Sequence, residues 1–126
     1  MKGLTIRNLT RQAVLGSLFV KASKKILPSW EVSLVFIGEV RAKRLNKDLR
    51  GKTYTPNVLS YALNEKHGEI FICPKSAEKQ ASEFGLSLRD FMLLLFIHGL
   101  LHLKGYRHGT TMERYERKVL TQIVGT

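Results

Sequence analysis

Three of the chain's four histidines fall in one short stretch, His98-Gly-Leu-Leu-His102-Leu-Lys-Gly-Tyr-Arg-His108. A spacing of four on a helix puts His98 and His102 on one face. Gly105 then offers a helix end from which the chain can turn His108 back toward that face. Three neutral imidazoles converging on one point, with a fourth position open, describe a catalytic zinc site. One histidine on an apolar helix is ordinarily a satisfied core residue. Two at i and i+4 must both lose water, and shared coordination satisfies both. In the zinc-peptidase pattern H-E-x-x-H, the residue after the first histidine is the general base. Here that residue is Gly99, which argues against proteolysis. With no carboxylate ligand the site keeps its full +2 charge, attracts phosphate and lowers the pKa of bound water toward about 7.

Charge points the same way. Twenty-one Lys and Arg against ten Asp and Glu give a net +11 over 126 residues. Such an excess favours a polyanionic partner, nucleic acid first and an anionic membrane surface second, with a merely solvated basic surface as the competing explanation. The densest cluster is Arg41, Lys43, Arg44, Lys47, Arg50 and Lys52, which reads as a phosphate-facing surface for RNA or, equally, as a solvated helix face. Within it, Arg50-Gly51-Lys52 is expected in a loop, a better place for a functional arginine than mid-helix. The longest fully apolar run, Phe91 to Ile97, is far too short to cross a bilayer. The N-terminus lacks a sustained apolar segment, so no signal peptide is expected. A lone cysteine, Cys73, fits a reducing cytoplasm.

The elements that must position these residues follow from periodicity. Leu4 to Leu9 alternates as a strand, and Thr10 is the expected N-cap of a helix to Ile26 that turns Leu15, Leu18, Phe19, Ala22 and Ile26 inward. Trp30 to Ile37 reads as a central strand and Glu39 to Leu49 as a helix with Val40, Leu45 and Leu49 inward. Val58 to Ala62 and Glu69 to Cys73 form a hairpin around a polar turn, Asn64 to Gly68, that contains His67. Pro74 opens a helix that Gly85 closes. Ser87-Leu-Arg-Asp90 caps a buried central helix from Phe91 to Leu103, and Thr110-Thr-Met-Glu113 caps a last helix with Met112, Tyr115, Val119 and Ile123 inward. The order β-α-β-α-β-β-α-α-α predicts an α/β (α+β) fold, one domain over residues 1–126, with a small mixed four-stranded sheet and about five helices.

The histidine stretch, H-G-L-L-H-L-x-G-Y-x-H, resembles the signature of the YbeY-type endoribonucleases, the bacterial rRNA maturation factors. Upstream, Leu45-Asn46, Arg50-Gly51-Lys52, Pro56 to Tyr61, Gly68 to Pro74 and Gln80-Ala81 occur in the order that family shows. The similarity covers residues 45 to 109. It implies a zincin-like arrangement about a three-histidine site, with one Zn²⁺ on His98, His102 and His108. It also implies metal-dependent cleavage of single-stranded RNA, and roles in 16S rRNA 3′-end maturation and ribosome quality control; the location expected for the protein is cytoplasmic. The family's functional arginine carries over to Arg50, whose permanently charged fork suits a phosphate. Ribosomal RNA and small-subunit proteins are the implied partners, with neither DNA nor membrane expected.

Two positions depart from that pattern. The residue before the third histidine is Arg107, and the residue before Val58 is Asn57, where the family usually has Asp. Both make the site more positive; Arg107 is then a further candidate RNA contact, unless the lost carboxylates oriented ligands and metal affinity falls. No general base stands out, Glu69 and Glu113 being candidates by proximity in sequence alone. The rival reading is a non-catalytic, ribosome-associated RNA-binding factor with a structural metal.

Overall fold

A computed structural model of the chain describes residues 3–125. The alternation Val32-Ser-Leu-Val-Phe36 makes a strand buried on one side, and Glu31–Phe36 (β2) is the inner strand onto which Leu4–Asn8 (β1) and His67–Ile72 (β4) both pair in parallel. Val58–Asn64 (β3) closes the other edge antiparallel to β4, giving a mixed four-stranded sheet in the order β1-β2-β4-β3.

Among the described residues five helices complete the fold: Gly16–Ile26 (α1), Glu39–Arg50 (α2), Pro74–Ala81 (α3), Leu88–Lys104 (α4) and Thr110–Val124 (α5), with a 3₁₀ turn at Ser82–Phe84 after α3. One face of the sheet, built by Val32, Leu34, Phe36, Ile70 and Ile72, meets α1, α4 and α5 in the main core. The other face carries α2 through a small cluster of Ala42, Leu45, Ile37, Val35, Phe71 and Cys73.

α4 is the helix around which the rest packs. Its ten core residues point in every direction, as expected of a helix apolar all round. Ser87 accepts the Asp90 N–H at 3.1 Å to start it, and Gly105 at φ 112° stops it, donating to the Leu101 and His102 carbonyls. Two glycines let α4 lie close to β4: a Cβ at Gly99 would stand 3.0 Å from Ile70, and one at Gly68 would stand 2.6 Å from Leu103. Lys104 Nζ reaches the Ile26 carbonyl at 3.2 Å and so caps the end of α1.

Several local expectations need correction. Thr10 caps no helix; Asn8, Thr10 and Gln12 bond one another in a side-chain turn, which delays α1 to Gly16 and leaves Leu15 exposed. α2 buries Ala42 and Asn46, while Val40 is 76% and Leu49 49% exposed, because the small Ala42 rather than a wide leucine stripe meets the sheet. Arg50 is the last helical residue of α2, and the left-handed Gly51 follows it. His67 opens β4, half-buried, rather than lying in the turn. Gly109, not Thr110, precedes α5, with no side-chain cap.

Candidate metal centre

The spacing that put His98 and His102 on one face of α4 brings their rings together in space. Nε2 of His102 lies 3.0 Å from Nε2 of His98 and 3.1 Å from Nε2 of His108, which the Gly105 turn returns to the helix. Nitrogens bound tetrahedrally to Zn²⁺ at roughly 2.0–2.1 Å stand about 3.3 Å apart, so His102 is at nearly ligand spacing from both of its partners, and all three ligand atoms lie within 4.8 Å of one another. No other group of three or more His, Cys, Asp or Glu ligand atoms gathers this way among the described residues.

The protons on the rings decide whether a cation fits. Glu116 of α5, only 8% exposed, contacts Nδ1 of His98. A carboxylate accepts there, so the proton sits on Nδ1 and the Nε2 lone pair faces the cluster. Nε2 of His102 points to the same place, close to Nε2 of both His98 and His108. Lone pairs facing one another at 3 Å repel, and a shared cation removes that repulsion. The site is already hostile to protons. Burial, then the neighbouring His98 and His108, hold the His102 imidazolium below its usual range, against the smaller pull of Tyr106 and Glu116. The residues therefore fit a metal.

Arg50 faces the same space. A 490 Å³ cleft is lined by His98, His102 and His108 on one side and by Arg50, Tyr54, Val58, Leu59 and Ser60 on the other. The Arg50 guanidinium donates to Asn46 Oδ1 at 3.3 Å and to the Tyr54 hydroxyl at 3.1 Å. Asn46 is wholly buried and also donates to the Tyr54 carbonyl at 2.9 Å. One buried amide thus sets both the arginine and the loop after α2.

The remaining candidates are placed elsewhere. Arg41, Lys43, Arg44, Lys47 and Lys52 are exposed and line no part of the histidine cleft; Arg41 and Arg44 border a separate groove with Leu9 and Val40. Arg107 is exposed in the loop between His102 and His108. Asn57 donates to Gln80 Oε1 at 2.5 Å, at the junction of two smaller pockets beside the cleft. Glu69 lies on the sheet face away from α4, bonded to the Tyr61 hydroxyl, whose pKa burial and that carboxylate push up to about 12. It cannot reach the histidines. Glu113 borders the pocket next to them. Sequence reasoning missed Glu116 and Asn46. The signal for both was a polar residue on the inward stripe of an amphipathic helix, Glu116 beside Met112 and Val119, Asn46 beside Ala42.

The family described as Endoribonuclease YbeY matches residues 4–124. Endoribonuclease YbeY of Neisseria meningitidis serogroup B is 40% identical over 89 residues, covering 62% of this chain and 53% of its own length. That of Aromatoleum aromaticum is 34% identical over 100 residues, covering 76% and 65%. The chain thus spans about half the length of the first curated relatives it matches. The solution structure of TM1509 from Thermotoga maritima is similar with a TM-score of 0.71 at 26% identity, covering 97% of this chain and 89% of that one. On the match across nearly all of its residues, the chain belongs to the Endoribonuclease YbeY family.

Proposed function

We propose that this protein is a zinc-dependent endoribonuclease that cuts single-stranded RNA, and that it acts in the cytoplasm in 16S rRNA 3′-end maturation and ribosome quality control. The observation that carries the reading is that three converging imidazoles and a braced arginine line one cleft. Family membership and the net +11 charge support RNA as the substrate.

His98, His102 and His108 would hold the ion through Nε2. A zinc ion there supplies Lewis-acid polarisation of a phosphoryl oxygen and brings the pKa of a water down toward about 7. Glu116 keeps His98 in the tautomer that presents Nε2. Arg50 meets the non-bridging oxygens of the scissile phosphate, its fork pre-aligned by Asn46 and Tyr54. The exposed lysines and arginines of α2 raise the local concentration of the polyanion without touching the reacting bond.

The test measures bound zinc and cleavage of a labelled single-stranded RNA for wild type, His102→Ala and Arg50→Ala. The expected result is zinc at one per chain in wild type and Arg50→Ala, its loss in His102→Ala, and cleavage reduced at least a hundredfold in both variants. Cleavage that survives both substitutions would overturn the reading.

A further inference from the structure

Beside the histidine cleft lies a second pocket, 260 Å³ in volume, whose position bears on how RNA is read. The two spaces share Val58, His98 and His108. The walls of the second are apolar: Phe84, Phe91, Leu94, Leu95 and Met112. Its rim carries the Asn57–Gln80 amide pair and the Glu113 carboxylate. Phe84 is left 47% exposed at this site, with the Arg117 guanidinium 5.8 Å from its ring centre.

We infer that this pocket takes one unstacked nucleobase of the nucleotide next to the scissile phosphate. The inference rests on the nuclease reading above and adds to it the part of the substrate that carries sequence. Charge decides between base and phosphate. Arg50 and a three-histidine cation site make the neighbouring cleft the place for a phosphate, whereas Glu113 and Glu116 line this pocket and repel one. A neutral, flat, partly apolar ring is what remains of a nucleotide, and single-stranded RNA is the form whose bases are free to leave the stack. Within the pair, Asn57 Nδ2 donates to Gln80 Oε1, which leaves the Asn57 oxygen as an acceptor and the Gln80 nitrogen as a donor for a base edge. Arg117, 5.8 Å from the Phe84 ring centre, is the cation nearest that wall for a following phosphate of the strand.

The test compares zinc-loaded wild type, Phe84→Ala and Gln80→Ala on a short single-stranded RNA and on copies with one base removed at each position flanking the cut. Cleavage and equilibrium binding, by fluorescence anisotropy, are both read. Losing a stacked base costs about 1–3 kcal/mol, roughly 5- to 150-fold. Wild type should lose that factor at one flanking position only, chiefly in KM and in binding. Phe84→Ala should lose a similar factor on intact RNA and nothing further on the abasic copy, and Gln80→Ala should change the preferred base at that position. Equal cleavage and binding of all abasic copies by wild type would overturn the inference while leaving the nuclease reading intact. Base-dependent binding without cleavage would do the reverse. Phe84 is half exposed but its ring packs on Phe91 at 4.9 Å between centroids, so its variant should melt somewhat below wild type while staying folded at the assay temperature; a full additive loss in the combined abasic experiment would also overturn the inference.

Discussion

Glu116 offers the sharpest test of the metal centre, because its role rests on one contact, to Nδ1 of His98. Loss of such an outer partner usually costs 10- to 100-fold in metal affinity. At 8% exposure no water replaces the carboxylate readily, so Glu116→Ala should fall near the upper end, about 100-fold or 2.8 kcal/mol. Glu116→Gln keeps an oxygen acceptor and loses the charge. Charge-assisted hydrogen bonds are roughly twice as strong as neutral ones, so about half the free energy survives and the loss should be about tenfold. Competition with a chromophoric chelator at pH 7.5 reads both values, and urea unfolding in excess EDTA shows whether the metal-free variants still fold. A folded Glu116→Ala variant that binds zinc within threefold of wild type would show that His98 is oriented by α4 alone.

Three further outcomes follow from the same geometry. Asn46→Ala should lower stability by about 1–3 kcal/mol in urea unfolding, since the Tyr54 carbonyl loses a buried donor, and should lower kcat/KM for RNA while zinc content stays unchanged. Gly99→Glu recreates the peptidase motif in sequence, yet position 99 faces Ile70 rather than the cleft; it should cost several kcal/mol by thermal melting and yield no peptidase activity. In the metal-free protein, His102 has its pKa lowered on folding, so the unfolded chain takes up its proton first as pH falls below about 6.5. Stability in EDTA should therefore drop from pH 7 toward pH 5, with a shallower drop in His102→Gln.

Local pattern and long-range contact divide what the sequence could reveal. The three histidines were legible because all lie within one helix and its exit, where spacing alone brings them together. The strands β2 and β4 were legible because their inward residues alternate with less buried ones, and α4 because burial all round leaves a continuous apolar run. Arg50 could be singled out, but not its partners, since Asn46 and Tyr54 become neighbours only when α2 ends and the loop folds back. α1 began later than its periodicity suggested, because Asn8 and Thr10 satisfy one another in a turn that competes with helix. Val40 and Leu49 looked inward on an average helical wheel, but a helix that docks through one alanine leaves its larger apolar residues outside.

The position of α4 in the chain also governs how the protein is made. The sheet is complete in sequence at Ile72, whereas the helix that covers its apolar face is finished only at Lys104. At translation rates of about 5–20 residues per second, that face waits roughly 2–6 s for its cover. Parallel strands such as β1, β2 and β4 gain little from local contacts. The earlier α1 covers part of that face, but the part over β3 and β4 waits for α4, and in cells the nascent chain should be a client for chaperones that shield emerging polypeptides.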